Sequence, residues 1–129
     1  MALRAPGWTP LSVLLAGAGV LHLAKPQPFA AIVPGALGDP LPWVYVSGVA
    51  ELACAAGLAA PRTRRAAALA TAVLFVAVFP ANVQMAVTAL RAPASTLTQA
   101  VTVARLPLQV PLVLWALALR RRATAARPA

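Results

Sequence analysis

Polar side chains punctuate this chain at wide intervals. Apolar residues run almost unbroken from about Trp8 to Ala24, from about Pro42 to Ala60, from about Ala66 to Leu90 and from about Thr98 to Leu119. Each run is near the roughly 20 residues that an α-helix, rising about 1.5 Å per residue, needs to cross bilayer hydrocarbon. There is no water there to satisfy backbone N–H and C=O groups, so a lipid-crossing segment of this length has to be helical. The runs stop at Lys25-Pro26, at Pro61-Arg62 and at Arg120-Arg121-Arg122. The pattern predicts an all-α protein, an integral membrane four-helix bundle forming a single domain over residues 1–129, with spans at about 8–24, 42–60, 66–90 and 98–119. Arg4 ahead of the first and shortest run resembles the start of a signal peptide. Three further runs follow without a soluble domain, so the first is read as a retained helix.

The connections differ in character. Pro61-Arg62-Thr63-Arg64-Arg65 is short and makes the second and third helices antiparallel neighbours. Lys25 to Leu41 is longer, carries Pro26, Pro28, Pro34 and Pro40, and holds Phe29, Ile32 and Val33. It reads as an interfacial loop with a short amphipathic turn on the outer membrane face. Pro80, Pro107 and Pro111 fall inside spans and are expected to kink them or free local carbonyls.

Composition strengthens the membrane reading. The chain is 61% apolar, and Asp39 and Glu51 are its acids; a soluble domain needs more polar surface than this. A net charge of +9 would suggest nucleic acid in a soluble protein. Here the arginines stand at the ends of apolar runs, so no nucleic-acid partner is expected; the partner is the lipid bilayer. Arg4, Arg62, Arg64, Arg65, Arg120, Arg121, Arg122 and Arg127 fall on one side of the alternating spans, against Lys25 and Arg91 on the other. Basic residues stay in the cytoplasm, which places both termini there, in a multi-pass protein of the inner (plasma) membrane. The abundance of Ala, Arg and Pro suggests a GC-rich, bacterial genome.

Redox and metal chemistry are restricted. Cys54 is the single cysteine and His22 the single histidine. No internal disulfide, C-x-x-C pair, bis-histidine haem or His/Cys zinc site is expected within one chain.

Candidate chemistry therefore lies with polar residues inside lipid, where each is costly. These are His22, Glu51, Asn82, Gln84, Arg105 and Gln109. Counting about 1.5 Å per residue from the cytoplasmic ends, His22 and Arg105 lie ~21 Å up, Glu51 and Gln109 ~15 Å, and Asn82 ~24 Å. Arg105 and Gln109 share a helical face with Thr102, as Ser47, Glu51 and Cys54 do on the second helix. Gln84 points about 200° away from Asn82 and is the weaker candidate. The expected core of the site is a Glu51–Arg105 ion pair near His22, Asn82 and Gln109, because an unpaired charge at that depth costs about 2.5–3.5 kcal/mol. Such a pair serves either a ligand- or proton-handling centre or simply helix register. His22 can equally face headgroups, Asn82 can serve carbonyls freed by Pro80, and Cys54 reads as a packing residue. Trp8, Trp43 and Trp115 read as interface anchors, and Ala53 with Gly57 as a small-x-x-x-small contact. No catalytic residue and no metal ligand set is assigned.

The same residues carry a resemblance. Gly19-Val20-Leu21-His22 through Pro26-Gln27-Pro28-Phe29, Ile32-Val33-Pro34, Ser47-Gly48-Val49-Ala50-Glu51-Leu52 and Pro61-Arg62-Thr63-Arg64-Arg65 resemble the DoxX-like membrane proteins. So do Val78-Phe79-Pro80-Ala81-Asn82 with Met85-Ala86, and Arg105-Leu106-Pro107-Leu108-Gln109 with Trp115-Ala116. Leu23 departs, standing where that family more often has an aromatic. The resemblance implies a four-helix membrane bundle linked to thiosulfate:quinone oxidoreduction and oxidative-stress complexes. With no cysteine pair and few metal ligands, it points to a non-catalytic accessory or anchoring subunit of a redox- or quinone-linked complex, partnered by a redox protein or by further copies of itself. The alternative is binding or transport of a small amphiphile, a quinone or a lipid, in a polar-lined cavity, or a quinone-reactive enzyme. No cofactor is expected within the chain beyond a quinone.

Overall fold

The computed structural model describes residues 7–91 and 93–126. Arg4 and Arg127 of the charge pattern lie outside the described residues. The order is α1 (Trp8–Ala24), α2 (Gln27–Ala30), a 3-10 turn at Gly35–Leu37, α3 (Pro40–Ala59), α4 (Arg64–Ala77), α5 (Phe79–Arg91) and α6 (Thr96–Ala125). No strand occurs among the described residues. Three helical stretches, Pro40–Ala59, Arg64–Arg91 and Thr96–Ala125, are long and apolar enough to cross a membrane, and Trp8–Ala24 is a shorter apolar helix. Large side chains such as Val13, Val46, Val73, Leu97 and Val110 are exposed on the outer faces. A helical surface of that kind suits lipid, not water.

Local chemistry sets the helix ends. The Asp39 side chain accepts from the Leu41 N–H at 3.1 Å with Pro40 in the first turn, so α3 begins two residues before the apolar run at Pro42. Lys25 precedes Pro26, which disfavours helical backbone, and α1 stops there. The Ser95 hydroxyl caps α6 by accepting from the Thr98 N–H at 3.1 Å. Pro80 has no N–H for the Val76 carbonyl, and the helix breaks at Val78. Pro107 and Pro111, by contrast, lie within the continuous helix α6.

α1 packs on α3, α3 on α4, and α4 and α5 on α6. The core is built from Leu11, Leu15, Cys54, Ala55, Leu58, Ala67, Ala68, Ala72, Phe75, Ala116 and Leu119. Its alanines let helix backbones approach closely, which supplies van der Waals contact where lipid removes the hydrophobic drive. Gly57 contributes in the same way: a Cβ there would meet the Ala67 Cβ at 2.7 Å. Ala53, its expected companion, is exposed.

The same end of the bundle holds the arginines of the α3–α4 turn. Arg64 donates from Nε to the Leu58 carbonyl at 2.6 Å and from Nη2 to the Ala59 carbonyl at 3.0 Å, capping α3. Its guanidinium lies 4.6 Å over the Trp8 ring, tying the start of α1 to the same turn. Leu119 of α6 packs in the core with Leu11 and Leu58, so Arg120, Arg121 and Arg122 emerge at this end too.

Candidate functional site

At the opposite end the helices part around a cavity of about 350 Å³. Two glycines position one wall. A Cβ on Gly19 would meet the Gly48 carbonyl oxygen at 2.9 Å, and one on Gly48 would meet the His22 Cβ at 2.9 Å. With neither present, α1 and α3 run in close antiparallel contact. Ser12 fixes their register further down by donating to the Ala55 carbonyl at 2.8 Å. One turn beyond each glycine, on the same helix face, stands a polar residue: His22 on α1 and Glu51 on α3. His22 Nδ1 lies 3.1 Å from Glu51 Oε2, with the two side chains 14% and 11% exposed.

The pairing differs from the sequence expectation. Glu51 meets His22, and the Arg105 guanidinium instead reaches Met85, with Nη1 donating to Sδ at 3.5 Å. Arg105 is exposed toward the cavity that Glu51 also lines. Counting residues along helices gives height in the membrane but not lateral neighbourhood. The glycine contact draws α1 onto α3, whereas α6 packs on α4 and α5.

His22 faces the protein interior. Its Nδ1 is 2.7 Å from the Ala18 carbonyl, and its ring stacks on Phe29 of α2 at 3.8 Å. The same Nδ1 thus stands between the Ala18 carbonyl and Glu51 Oε2, and the approach to Oε2 is of ion-pair distance without hydrogen-bond geometry. On α6, Gln109 Oε1 accepts from Asn82 Nδ2 at 3.5 Å, while its buried Nε2 has no partner. Thr71 and Thr102, also buried, satisfy themselves by donating to the Ala67 and Thr98 carbonyls at 2.7 and 2.9 Å.

All five candidates, His22, Glu51, Asn82, Arg105 and Gln109, line this one cavity, joined by Ser47 and Met85. Gln84 does not line it, and Cys54 sits in the alanine-rich core. The Lys25–Leu41 connection covers the cavity: Phe29, Ile32, Val33, Pro34 and Leu37 form part of its wall. Trp43 lines it too and donates from Nε1 to the Leu37 carbonyl at 3.0 Å. The three tryptophans expected as interface anchors thus make internal contacts as well, Trp8 beneath Arg64, Trp43 at the cavity and Trp115 against the core. Sequence reasoning missed the Gly19–Gly48 contact. Its signal was available: Gly-x-x-His on one helix and Gly-x-x-Glu on another, each glycine one turn from its polar residue. Among the described residues, no group of three or more His, Cys, Asp and Glu side chains comes together to hold a metal.

The site is a half-open, mostly apolar chamber with a few convergent polar residues, the usual form of a small-molecule site. A family model described as a domain of unknown function, DUF8561, matches residues 11–120. No curated protein and no solved structure matches the chain.

Proposed function

The chain belongs to the DUF8561 family, and on that premise, which carries no activity with it, we propose that it is a multi-pass membrane protein that binds a small amphiphile in its polar-lined cavity. One observation carries this reading: His22, Glu51, Asn82, Arg105 and Gln109, from four helices, converge on one otherwise apolar cavity of about 350 Å³. Glu51 and Gln109 each keep one buried atom without a hydrogen bond, and such exceptions call for a functional role or a bound water or ion.

The membrane arrangement is part of the proposal. α1 runs antiparallel to α3 along most of its length, so it shares the depth of a helix long enough to cross. That makes four crossings. Arg62, Arg64, Arg65 and Arg120 to Arg122 gather at one end, with Lys25 and Arg91 at the other. The arginine end faces the cytoplasm with both termini, and the cavity opens toward the outer half of a bacterial plasma membrane. A reporter active only in the cytoplasm is expected to work when fused to the C-terminus; activity of a periplasmic reporter there contradicts the orientation.

The binding test compares the wild type with Ala81→Phe, which projects a ring into the cavity wall. Wild-type protein purified in mild detergent is expected to release one apolar small molecule per chain on denaturation, and A81F, folded to the same extent, at most about a tenth as much. No such molecule from the wild type, together with a stoichiometric soluble oxidoreductase that remains bound, favours the accessory-subunit reading instead.

A further inference from the structure

We propose a second site, on the outer surface of the bundle and independent of the chamber: the seam between α4 and α6 binds one anionic phospholipid from the leaflet at the arginine end. A groove and a set of charges meet there. The groove, of about 320 Å³, lies beside the helix break at Val78 and is walled by Val76, Phe79, Val110, Val113 and Leu114, with Gln109 next to them. Val76, Phe79, Val110 and Leu114 are exposed, so it faces outward, where the bilayer lies.

Both helices carry this groove toward their arginines. Arg65 and Val76 stand about three turns apart on one face of α4, with the exposed Leu69 between them. On α6, Val113 lies about two turns from Arg120, and Leu114 about two turns from Arg121, again on the groove side. α4 packs on α6, and Ala68, Ala116 and Leu119 meet in the core, so Arg65, Arg120 and Arg121 stand together at the end of the seam. The spacing matches a lipid. At about 1.5 Å per residue, Arg65 to Val76 and Arg121 to Val110 each cover about 16 Å. Half of the bilayer hydrocarbon is about 15 Å. A head held at the arginines therefore lets its acyl chain follow Leu69 and end in the groove, at the bilayer midplane.

Charge decides the head. Asp39 caps α3 at the opposite end and Glu51 lines the chamber, so neither acid of the chain stands among these arginines. Arg64 is engaged by the Leu58 and Ala59 carbonyls and by Trp8, whereas Arg65 and Arg121 are exposed. Guanidiniums at the end of an apolar span meet lipid phosphates, with which they form charge-assisted hydrogen bonds. A zwitterionic head brings a second cation into the cluster, and an anionic head does not. A soluble polyanion matches the charge but leaves the groove empty.

The test is native mass spectrometry of the full chain, delipidated in a neutral detergent and titrated with dioleoyl-phosphatidylglycerol or dioleoyl-phosphatidylcholine. One phosphatidylglycerol per chain is expected, held about tenfold or more tighter than phosphatidylcholine. Arg65→Gln with Arg121→Gln is expected to bring the two lipids within about twofold of each other. Val110→Trp fills the groove from its lipid side and is expected to weaken both lipids about fivefold or more. All three positions are exposed, so the core stays intact in these variants. Equal affinity of the wild type for both lipids, or a preference that survives in R65Q/R121Q, overturns the anionic head. Undiminished binding in V110W overturns the groove. A wild-type dimer that excludes lipid and dissociates in V110W makes a second copy the occupant and overturns the lipid site.

Discussion

The two ends of this bundle are built on opposite principles. At the arginine end, Leu11, Leu58, Ala67, Ala68, Ala116 and Leu119 close the space between helices almost completely. Small residues do this by bringing backbones together, and Arg64 seals the end by capping α3 and covering Trp8. At the connector end Gly19 and Gly48 bring α1 and α3 together, while the break at Val78 and a segment folded over the opening border a cavity. Polar groups point inward there, two of them unsatisfied. The closed end holds its geometry by shape throughout, whereas the open end adds the His22–Glu51 contact to a single close helix pair. A rigid closed end also lets the open end leave polar atoms unpartnered without collapse, which is how a scaffold supports a site.

Several substitutions sharpen or break that contrast. The largest effect is expected from His22→Leu at the open end. It removes the ring that stands 3.1 Å from Glu51 Oε2, bonds Ala18 and stacks on Phe29, and stranding a buried polar group costs about 1–3 kcal/mol, more for a charged one. Thermal melts in detergent should show a clear fall, with partial recovery in the H22L/E51Q double variant. Absence of coupling in that cycle removes the His22–Glu51 contact as what holds the open end. Next comes Gly57→Leu at the closed end, where even a Cβ would lie 2.7 Å from the Ala67 Cβ. Overpacking of this kind costs about 1–3 kcal/mol, read from the same melts. An unperturbed melt would show that the closed end is not tightly packed.

Arg105→Met is expected to change stability by no more than about 0.5 kcal/mol, because the guanidinium makes no ion pair with Glu51 and contacts Met85 only weakly. A loss as large as that of H22L would restore Arg105 as the partner of Glu51. The smallest effect is expected from Ala81→Phe. It enlarges a side chain as Gly57→Leu does, yet projects into open volume, so the melt should stay near that of the wild type in the absence of ligand. A destabilisation equal to that of G57L would erase the distinction between the two ends.

Much of this contrast was legible along the chain, and its limits have physical causes. Helical class and apolar character follow from runs such as Trp8–Ala24, because composition and length alone decide them. The polar residues that line the cavity stood out because lipid makes each of them conspicuous. Which of them touch was not legible. Glu51 and Arg105 match in charge and nearly in height, but lateral neighbours depend on helix packing, and that was decided by Gly19 and Gly48. The Ala53–Gly57 pair looked equally suited to a close contact, yet only Gly57 makes one, because spacing marks a helix face without saying what lies against it. The covering role of Phe29 and Leu37 was also hidden, since a proline-rich connection carries no periodicity to show where it folds.

The central claim is that the open end receives a small amphiphile between α3 and α6. Its most direct test is a crystal structure grown from a lipidic mesophase with a brominated alkylphenol, read by the anomalous signal of bromine. One strong peak is expected inside the chamber lined by His22, Glu51, Asn82, Arg105 and Gln109. Bromine peaks confined to the lipid-facing surfaces, with the chamber closed by side chains, would contradict it.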